Sequence, residues 1–401
     1  MVVVGAGVLG ASAAFHLASL GAKVTLLERE SAPGRGSTGR AAGGFRAHYS
    51  TAIHIRLSLL SREKLLRFRD ELGCDPGYMP AGYLWLARTA EELEELRAAR
   101  QLQLSLGLDG GVDAGQESNA AEAPQTSMLA TRMLTPAQAA RLNPAIDLEG
   151  ICGAAVGPID GFIRPLEILR GYLEGALGAG GRLVQSAPVI GFDRARSGAL
   201  LAARTAQGRF PAGAFVDAAG PWAAEVARLA GIELPVAPLR RQVAATAPTT
   251  ALPAEMPMTI WMEDGFHLRV RDGRVLLLLP NPGDPRDPFD DSVEPAWLSR
   301  VARLARQRVP ALAGVAIDPA QSWAGLYEMS PDRHAIVGAA PQCPNLYFIN
   351  GSSGHGVMHA PALGQLLAEE IVLGKARTID ISALRYSRFA ESDLNKVSGP
   401  L

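Results

Sequence analysis

"VVVGAGVLGASAAFHLASLGAKVTLLERE" occupies positions 2–30. Val2 to Val4 form a short β-branched run of the kind a buried parallel strand shows. Gly5, Gly7 and Gly10 follow in the spacing GxGxxG. Gly5 permits a tight turn, Gly7 lets backbone approach a pyrophosphate, and Gly10 lets helix and strand pack closely. The next helix offers free N–H groups and a positive dipole end to the same phosphates. Ala14, Leu17 and Leu20 give that helix a sheet-facing side, Gly21 ends it, and Val24 to Leu27 form a second strand. Glu28 closes the strand, where a carboxylate accepts both ribose hydroxyls and repels a 2′-phosphate. Strand, glycine loop, helix, strand and acid in register predict a dinucleotide-binding unit, but the fingerprint fits a flavin or a nicotinamide dinucleotide equally.

Working outward, a chain of 401 residues exceeds one simple core, so two domains are expected. The net charge of −1 suggests neither nucleic acid nor an anionic membrane surface as partner. Cys74, Cys152 and Cys343 lie far apart and form no CxxC, which reads as reduced thiols in a cytoplasmic protein. The seven histidines show no metal-ligand spacing, so no metal is expected. No apolar run approaches the ~20 residues of a membrane span. Met1 abuts the first strand with no basic leader before it, so no signal peptide is expected, and a start a few residues earlier stays open.

Further along, "GRGSTGRAAGGFRAHYS" at 34–50 is a small-residue loop of functional length. A helix is expected from about Thr51 to Leu72 and a strand within "PAGYLWLAR" at 80–88. Thr89 with Glu92, and Thr135 with Gln138, are capping boxes that start helices. The stretch 109–127 reads as a surface excursion. An amphipathic helix follows at about 165–177, and "AFVDAAGPWAAEVARLAG" at 214–231 reads as a second strand–turn–helix element of phosphate-binding type. Strands dominate 239–280, with "RDGR" at 271–274 as a hairpin turn. Pro295 opens a helix to about Arg308, and the end returns to strand 345–350, loop "GSSGHG" and helix 357–373, stopped by Gly374. Dinucleotide-type elements thus stand at the start, middle and end, with strand-rich segments between them. The fold class is α/β: a discontinuous Rossmann-like domain (1–78, 151–232 and 321–392) with a β-rich α+β substrate domain (79–150 and 233–320).

Four stretches carry a resemblance: "VVVGAGVLGASAAFHLASLGAKVTLLER", "AFVDAAGPWAAEVA", "WAGLYEMSPDRHAIVG" and "NLYFINGSSGHGVMHAPALGQLLAEEI". In order and spacing the chain resembles the D-amino-acid oxidase / glycine–sarcosine oxidase family of FAD-dependent oxidoreductases. The resemblance implies FAD rather than NAD. It implies cofactor contacts at Gly5, Gly7, Gly10, Glu28, Arg29, Thr38, Ala219, Gly220, Trp222, Gly325, Gly351, Gly354, His355, Gly356, Val357 and Met358. Physically, the glycines of "GSSGHG" let backbone pass close to a flat ring, and the following helix points its positive end there. His355 is either a flavin contact or a structural loop residue.

The family chemistry implied is transfer of a hydride from an amine C–H to flavin, giving an imine that hydrolyses. The protein then needs a carboxylate clamp. Arg46 in "GGFRAHY" resembles the arginine that grips the substrate carboxylate, as a guanidinium fork can. Sarcosine oxidases carry a lysine where this chain has Met358, so a softer, roomier wall and a bulkier secondary amine are expected. His267 in "GFHLRV" falls where relatives contact substrate, or it serves a cross-strand role; the face of Arg269 is left open by the pleat. Residues that bond flavin covalently in relatives correspond to Gly325 and Arg40, which implies non-covalent FAD. None of the four lysines falls in 240–330, where sarcosine oxidases place the lysine that speeds reaction with oxygen. Three readings follow: an oxidase of a secondary amine or amino acid using oxygen; a proline- or sarcosine-type dehydrogenase subunit that needs an electron-acceptor partner; and a non-catalytic flavin-binding assembly protein. The partner expected is a small amine or amino acid, with homo-oligomerisation open.

Overall fold

The computed structural model describes residues 1–108, 129–281 and 290–397. Val2–Val4, Thr25–Leu27 and Arg182–Val184 run parallel on one side of a six-stranded sheet. Phe215–Asp217 and Cys343–Asn350 extend it in parallel on the other side, and Ile336–Ala340 closes that edge antiparallel. The strand alternation decides the layers. Val3, Leu26 and Val216 face a helical layer containing Val8–Ser19, Ala52–Leu72, Pro165–Gly178 and Gly356–Leu373. Val2, Val4, Leu27 and Phe215 face the opposite way, onto the helix Ala223–Leu229 and the three-stranded sheet of Gly191–Arg194, Leu200–Thr205 and Gly208–Pro211.

The second architecture is an eight-stranded sheet in the order Trp323–Met329, Ala237–Ala245, Arg274–Leu278, His267–Arg271, Met258–Trp261, Tyr83–Ala87, Gly153–Gly157 and Arg132–Leu134. Leu84, Leu86, Leu268, Val270 and Leu277 turn one face toward the helix Pro295–Arg308. Tyr83, Met258, Ile260 and Leu278 lie on the other face, toward the site described below.

Local signals hold closely. Both expected capping boxes form, at Thr89/Glu92 and Thr135/Gln138. Asp272 and Gly273 both take positive φ between two paired strands, as a tight hairpin turn requires. Gly374 stops the last helix in the left-handed conformation. Leu20 differs: the first helix ends at Ser19, so Leu20 leaves the helical face and is exposed rather than turned to the sheet. Two strands inside ranges expected for the nucleotide domain, Gly153–Gly157 and Trp323–Met329, hydrogen-bond into the eight-stranded sheet. The excursion expected at 109–127 lies outside the described residues.

Candidate functional site

Two cavities adjoin where the two large sheets meet. The first, of about 820 Å³, is lined by Gly5, Gly7, Glu28, Arg29, Thr38, Ala219, Gly220, Trp222, Gly325, Gly354, Gly356 and Val357, among others. The second, of about 770 Å³, is lined by Arg46, His267, His355 and Met358 and by one face of the eight-stranded sheet. Ala41, Ala42, Tyr327, Gly354 and Val357 line both, so the cavities share a wall.

The opening loop shows why each glycine stands where it does. Gly5 has φ +101, and a Cβ there would lie 2.5 Å from the Ala218 carbonyl oxygen. A Cβ on Gly10 would lie 2.0 Å from the Gly5 carbonyl oxygen, so this glycine permits the close approach of helix and loop. Around Gly7 the nearest atom would be Thr38 Oγ1 at 3.4 Å, and this position opens on the first cavity. Gly10 and Gly351 are not among the lining residues: they pack, Gly351 against Ile336 and Ser330 at φ +72. Glu28 is buried, with Oε2 accepting from the Ala6 amide at 3.0 Å and Oε1 from the Glu30 amide at 2.9 Å. Thr38 Oγ1 accepts from the Val8 amide at 3.1 Å, and the Arg29 guanidinium stacks 3.6 Å over the Trp222 ring.

The central and C-terminal motifs close on the same cavity. Asp217 ends its strand with Oδ1 accepting from the Ala219 amide at 3.0 Å, while Asn350 links its side chain to the Asp217 carbonyl (2.7 Å) and the Gly220 amide (3.2 Å). Burial pushes the Asp217 carboxyl up to about 8. Glu328, which sequence reasoning missed, lines the first cavity from the strand Trp323–Met329. Its Oε1 accepts from the Ser352 amide at 3.1 Å, its Oε2 is buried without a hydrogen-bond partner, and burial raises it to about 7. The signal lay in the quoted "GLYEMSPD": a carboxylate on the buried side of an alternating strand needs a polar ligand or a proton. Gly325 abuts Arg40, whose Cβ would be 2.9 Å from an added Cβ, and both line the first cavity.

In the second cavity Arg46 is only 5% exposed. Its Nη2 donates to His355 Nε2 at 3.0 Å, and its guanidinium lies 4.4 Å from the Tyr49 ring centre. Because a guanidinium only donates, His355 must accept through Nε2 and carry its proton on Nδ1. That Nδ1 is buried and has no protein partner. Burial, then Arg46, hold the His355 charge well below the usual histidine range. Tyr49 Oη donates to Met358 Sδ at 3.1 Å. His267 lies in register with Ile260 and Leu278, both cavity-lining, and its Nδ1 contacts the Gly265 carbonyl at 2.8 Å. Burial lowers it to about 4. Arg269 shares that strand face but does not line the cavity. Its Nη1 donates to the Ala42 and Gly43 carbonyls at 2.8 and 3.0 Å, pinning the loop that carries Arg46. Among the described residues no cluster of His, Cys, Asp or Glu could hold a metal, and no helix is long and apolar enough to cross a membrane.

A glycine loop whose backbone packs too closely for a Cβ at Gly5 and Gly10, two helix N-termini whose N-cap residues Gly7 and His355 make no side-chain cap, and an orphaned carboxylate oxygen together fit an elongated dinucleotide with polar hydroxyls. The model of the family DAO, FAD dependent oxidoreductase, matches residues 1–370, and the chain belongs to this family. It is therefore an FAD-dependent oxidoreductase. It is 27% identical to FAD-dependent oxidoreductase domain-containing protein 1 of Xenopus laevis, over 97% of this chain and 82% of that protein. Glycine oxidase of Geobacillus kaustophilus is 26% identical over 96% of both chains. The solved L-proline dehydrogenase from P. horikoshii superposes with a TM-score of 0.86 at 26% identity, covering 98% of both chains.

Proposed function

We propose that the first cavity holds FAD without a covalent bond and that the second holds an amine or amino acid of the glycine or N-substituted glycine class. The observation that carries this reading is the shared wall: a dinucleotide cradle on one side of Ala41–Ala42, Tyr327, Gly354 and Val357, and a buried Arg46 on the other. Bound FAD supplies the acceptor for the hydride that leaves the amine carbon, and the imine formed hydrolyses. Glu28 holds ribose hydroxyls, Gly7 and the first helix N-terminus the pyrophosphate, and Glu328 Oε2 a further polar group of the cofactor. Arg46 clamps the substrate carboxylate, held in its pose by His355 and Tyr49. Met358 and the apolar sheet face, including Met258 and Ile260, give the amine substituent a soft wall and keep water from the reacting carbon. His267 faces the same space as a neutral imidazole. The six-stranded sheet with its helices forms the nucleotide domain, and the eight-stranded sheet the substrate domain.

Oxygen is proposed as electron acceptor. The proline dehydrogenase likeness and the lack of lysine between 240 and 330 favour a second reading, a dehydrogenase that passes electrons to a partner. One experiment separates them. The protein is mixed anaerobically with glycine, sarcosine, N-carboxymethyl amino acids, both prolines and D-amino acids, and air is then admitted. Bleaching of the yellow colour by one class is expected, with rapid recolouring for the oxidase and slow recolouring for the dehydrogenase. A dithionite-reducible flavin that no amine bleaches would overturn the substrate class, and colour retained by acid-precipitated protein would overturn non-covalent binding.

A further inference from the structure

The wall between the two cavities is held from behind. Ala41 and Ala42 line both cavities, and Gly43 lines the second. Four consecutive carbonyls, those of residues 40–43, each accept a hydrogen bond from a side chain of the eight-stranded sheet. Trp323 Nε1 donates to the Arg40 carbonyl at 2.8 Å, and Arg271 Nη1 to the Ala41 carbonyl at 3.4 Å. Arg269 Nη1 donates to the Ala42 carbonyl at 2.8 Å and to the Gly43 carbonyl at 3.0 Å, the latter shared with the Ile163 amide at 2.9 Å. Arg269, Arg271 and Trp323 themselves line neither cavity.

Strand geometry builds this comb. Arg269 and Arg271 stand two residues apart on His267–Arg271, so they leave the same face of the sheet. Each guanidinium lies over a ring, Arg269 at 3.6 Å from the Phe162 centre and Arg271 at 4.9 Å from the Trp323 centre. Arg269 is buried, and among the described residues no carboxylate comes within ion-pair distance of it. Its partners are carbonyl oxygens and the Phe162 ring. Burying a guanidinium costs far more than burying a neutral donor that would satisfy the same backbone.

The comb also fixes which way the peptide units of the wall face. In a planar trans peptide, a carbonyl turned to the sheet turns the following N–H away from it. The Ala42 amide therefore faces away from Arg271, and the Gly43 amide away from Arg269. Among the described residues neither amide has an acceptor, and both residues line the second cavity. Backbone donors in such a place need a ligand or water to accept from them.

We propose that Arg269 and Trp323 are positioning residues for the cofactor. By drawing the carbonyls of 40–43 onto the substrate sheet, they present the Ala42 and Gly43 amides to the electron-accepting ring of FAD, where preorganised donors favour its reduced, more negative form. This rests on the placement of FAD beside the shared wall and goes beyond it: the substrate domain sets how readily the cofactor takes electrons.

The test reads the two-electron midpoint potential of the FAD-loaded protein, reduced by dithionite beside a reference dye. Arg269→Met removes a donor and its charge. Trp323→Phe removes a neutral donor and keeps a ring beneath Arg271. Arg269→Lys keeps the charge and, since Nη1 alone makes both bonds, one nitrogen able to replace it. Arg269→Met and Trp323→Phe are each expected to weaken binding of reduced relative to oxidised FAD about tenfold, a potential about 30 mV lower. Arg269→Lys is expected to keep that ratio within about threefold of the unaltered protein. An unmoved potential in Trp323→Phe would overturn the proposal, because a fall in Arg269→Met alone would then report lost charge and not a displaced wall. So would an unmoved potential in Arg269→Met, or a fall in Arg269→Lys as large as in Arg269→Met. If Arg269→Met takes up no FAD, Trp323→Phe decides. FAD uptake is measured separately: an unaltered protein that takes up none fails the placement of the cofactor, whereas full uptake with unmoved potentials fails this inference alone. No amine is needed, so the result is independent of the substrate class.

Discussion

Arg46 shows how much a single side chain organises. A guanidinium that is 5% exposed would be costly alone, and here it is offset by His355 Nε2 at 3.0 Å and by the Tyr49 and Trp85 rings at 4.4 and 5.3 Å. Its loop is held from two directions. Asp160 Oδ1 accepts from the Ala47 amide at 2.6 Å, and Arg269 ties down the Ala42 and Gly43 carbonyls. The clamp therefore reaches the cavity already oriented, and removing it takes away a charged partner without releasing the loop. Arg46→Ala is expected to lower kcat/KM for a carboxylate substrate by about 2–4 kcal/mol, roughly 30- to 1,000-fold, with flavin content unchanged. The check is steady-state kinetics on the amine that bleaches the flavin. An unchanged kcat/KM would remove Arg46 from the substrate site.

At the scale of elements, the nucleotide loop was legible because its chemistry is local. Gly5, Gly7, Gly10 and Glu28 fall within 24 consecutive residues, and each imposes a steric or charge condition that sequence spacing expresses directly. The capping boxes and Gly374 were legible for the same reason. The second cavity was not. Its walls come from Arg46, from strands around 258–278 and from the loop at 330–333, and only tertiary pairing brings these together. The pleat left the face of Arg269 open, and the paired strands put it on the His267 side, tied to the Ala42 and Gly43 carbonyls, while Glu328 hid inside an apolar-looking strand. The glycines give a paired test. Gly10→Ala would drive a Cβ to 2.0 Å from backbone oxygen, whereas Gly7→Ala meets nothing nearer than 3.4 Å and projects toward the FAD cavity. Gly10→Ala is expected to cost about 1–3 kcal/mol or more in stability. Gly7→Ala is expected to leave the apoprotein melting temperature near its original value while lowering retained flavin. Thermal unfolding and the flavin-to-protein absorbance ratio read the two effects; a Gly7→Ala protein that keeps its full flavin complement would place the pyrophosphate elsewhere.

At the scale of the whole molecule, burial of ionisable groups sets the pH at which the fold is most stable. All seven histidines are lowered from their ordinary range, each chiefly by burial, with His267 at about 4 and His16, His48 and His359 at about 3. Three buried carboxyls move the opposite way: Asp160 and Glu328 rise to about 7 and Asp217 to about 8. An unfolded histidine takes up a proton near pH 6.5 while the folded one does not, so the histidine contribution is complete above about 6.5 and is lost as pH falls. An unfolded carboxyl loses its proton near pH 4 while the folded one keeps it, so the carboxyl contribution is complete below about 4 and is lost as pH rises through 7 to 8. Between about pH 4 and 6.5 the two sets oppose each other, and seven histidines outweigh three carboxyls. Above 6.5 the three carboxyls outweigh the Met1 α-amino group, which burial lowers from its ordinary value near 8. The melting temperature is therefore expected to peak near pH 6.5, falling steeply on the acid side and more gently toward pH 8.5. Asp217→Asn keeps an acceptor for the Ala219 amide and removes one titrating group, so it is expected to flatten the alkaline limb and leave the acid limb as it was. Thermal unfolding from pH 4.5 to 9 measures both limbs, and a melting temperature that climbs steadily from 6.5 to 8.5 would show that the three carboxyls are ionised in the folded protein, with cations or water reaching them.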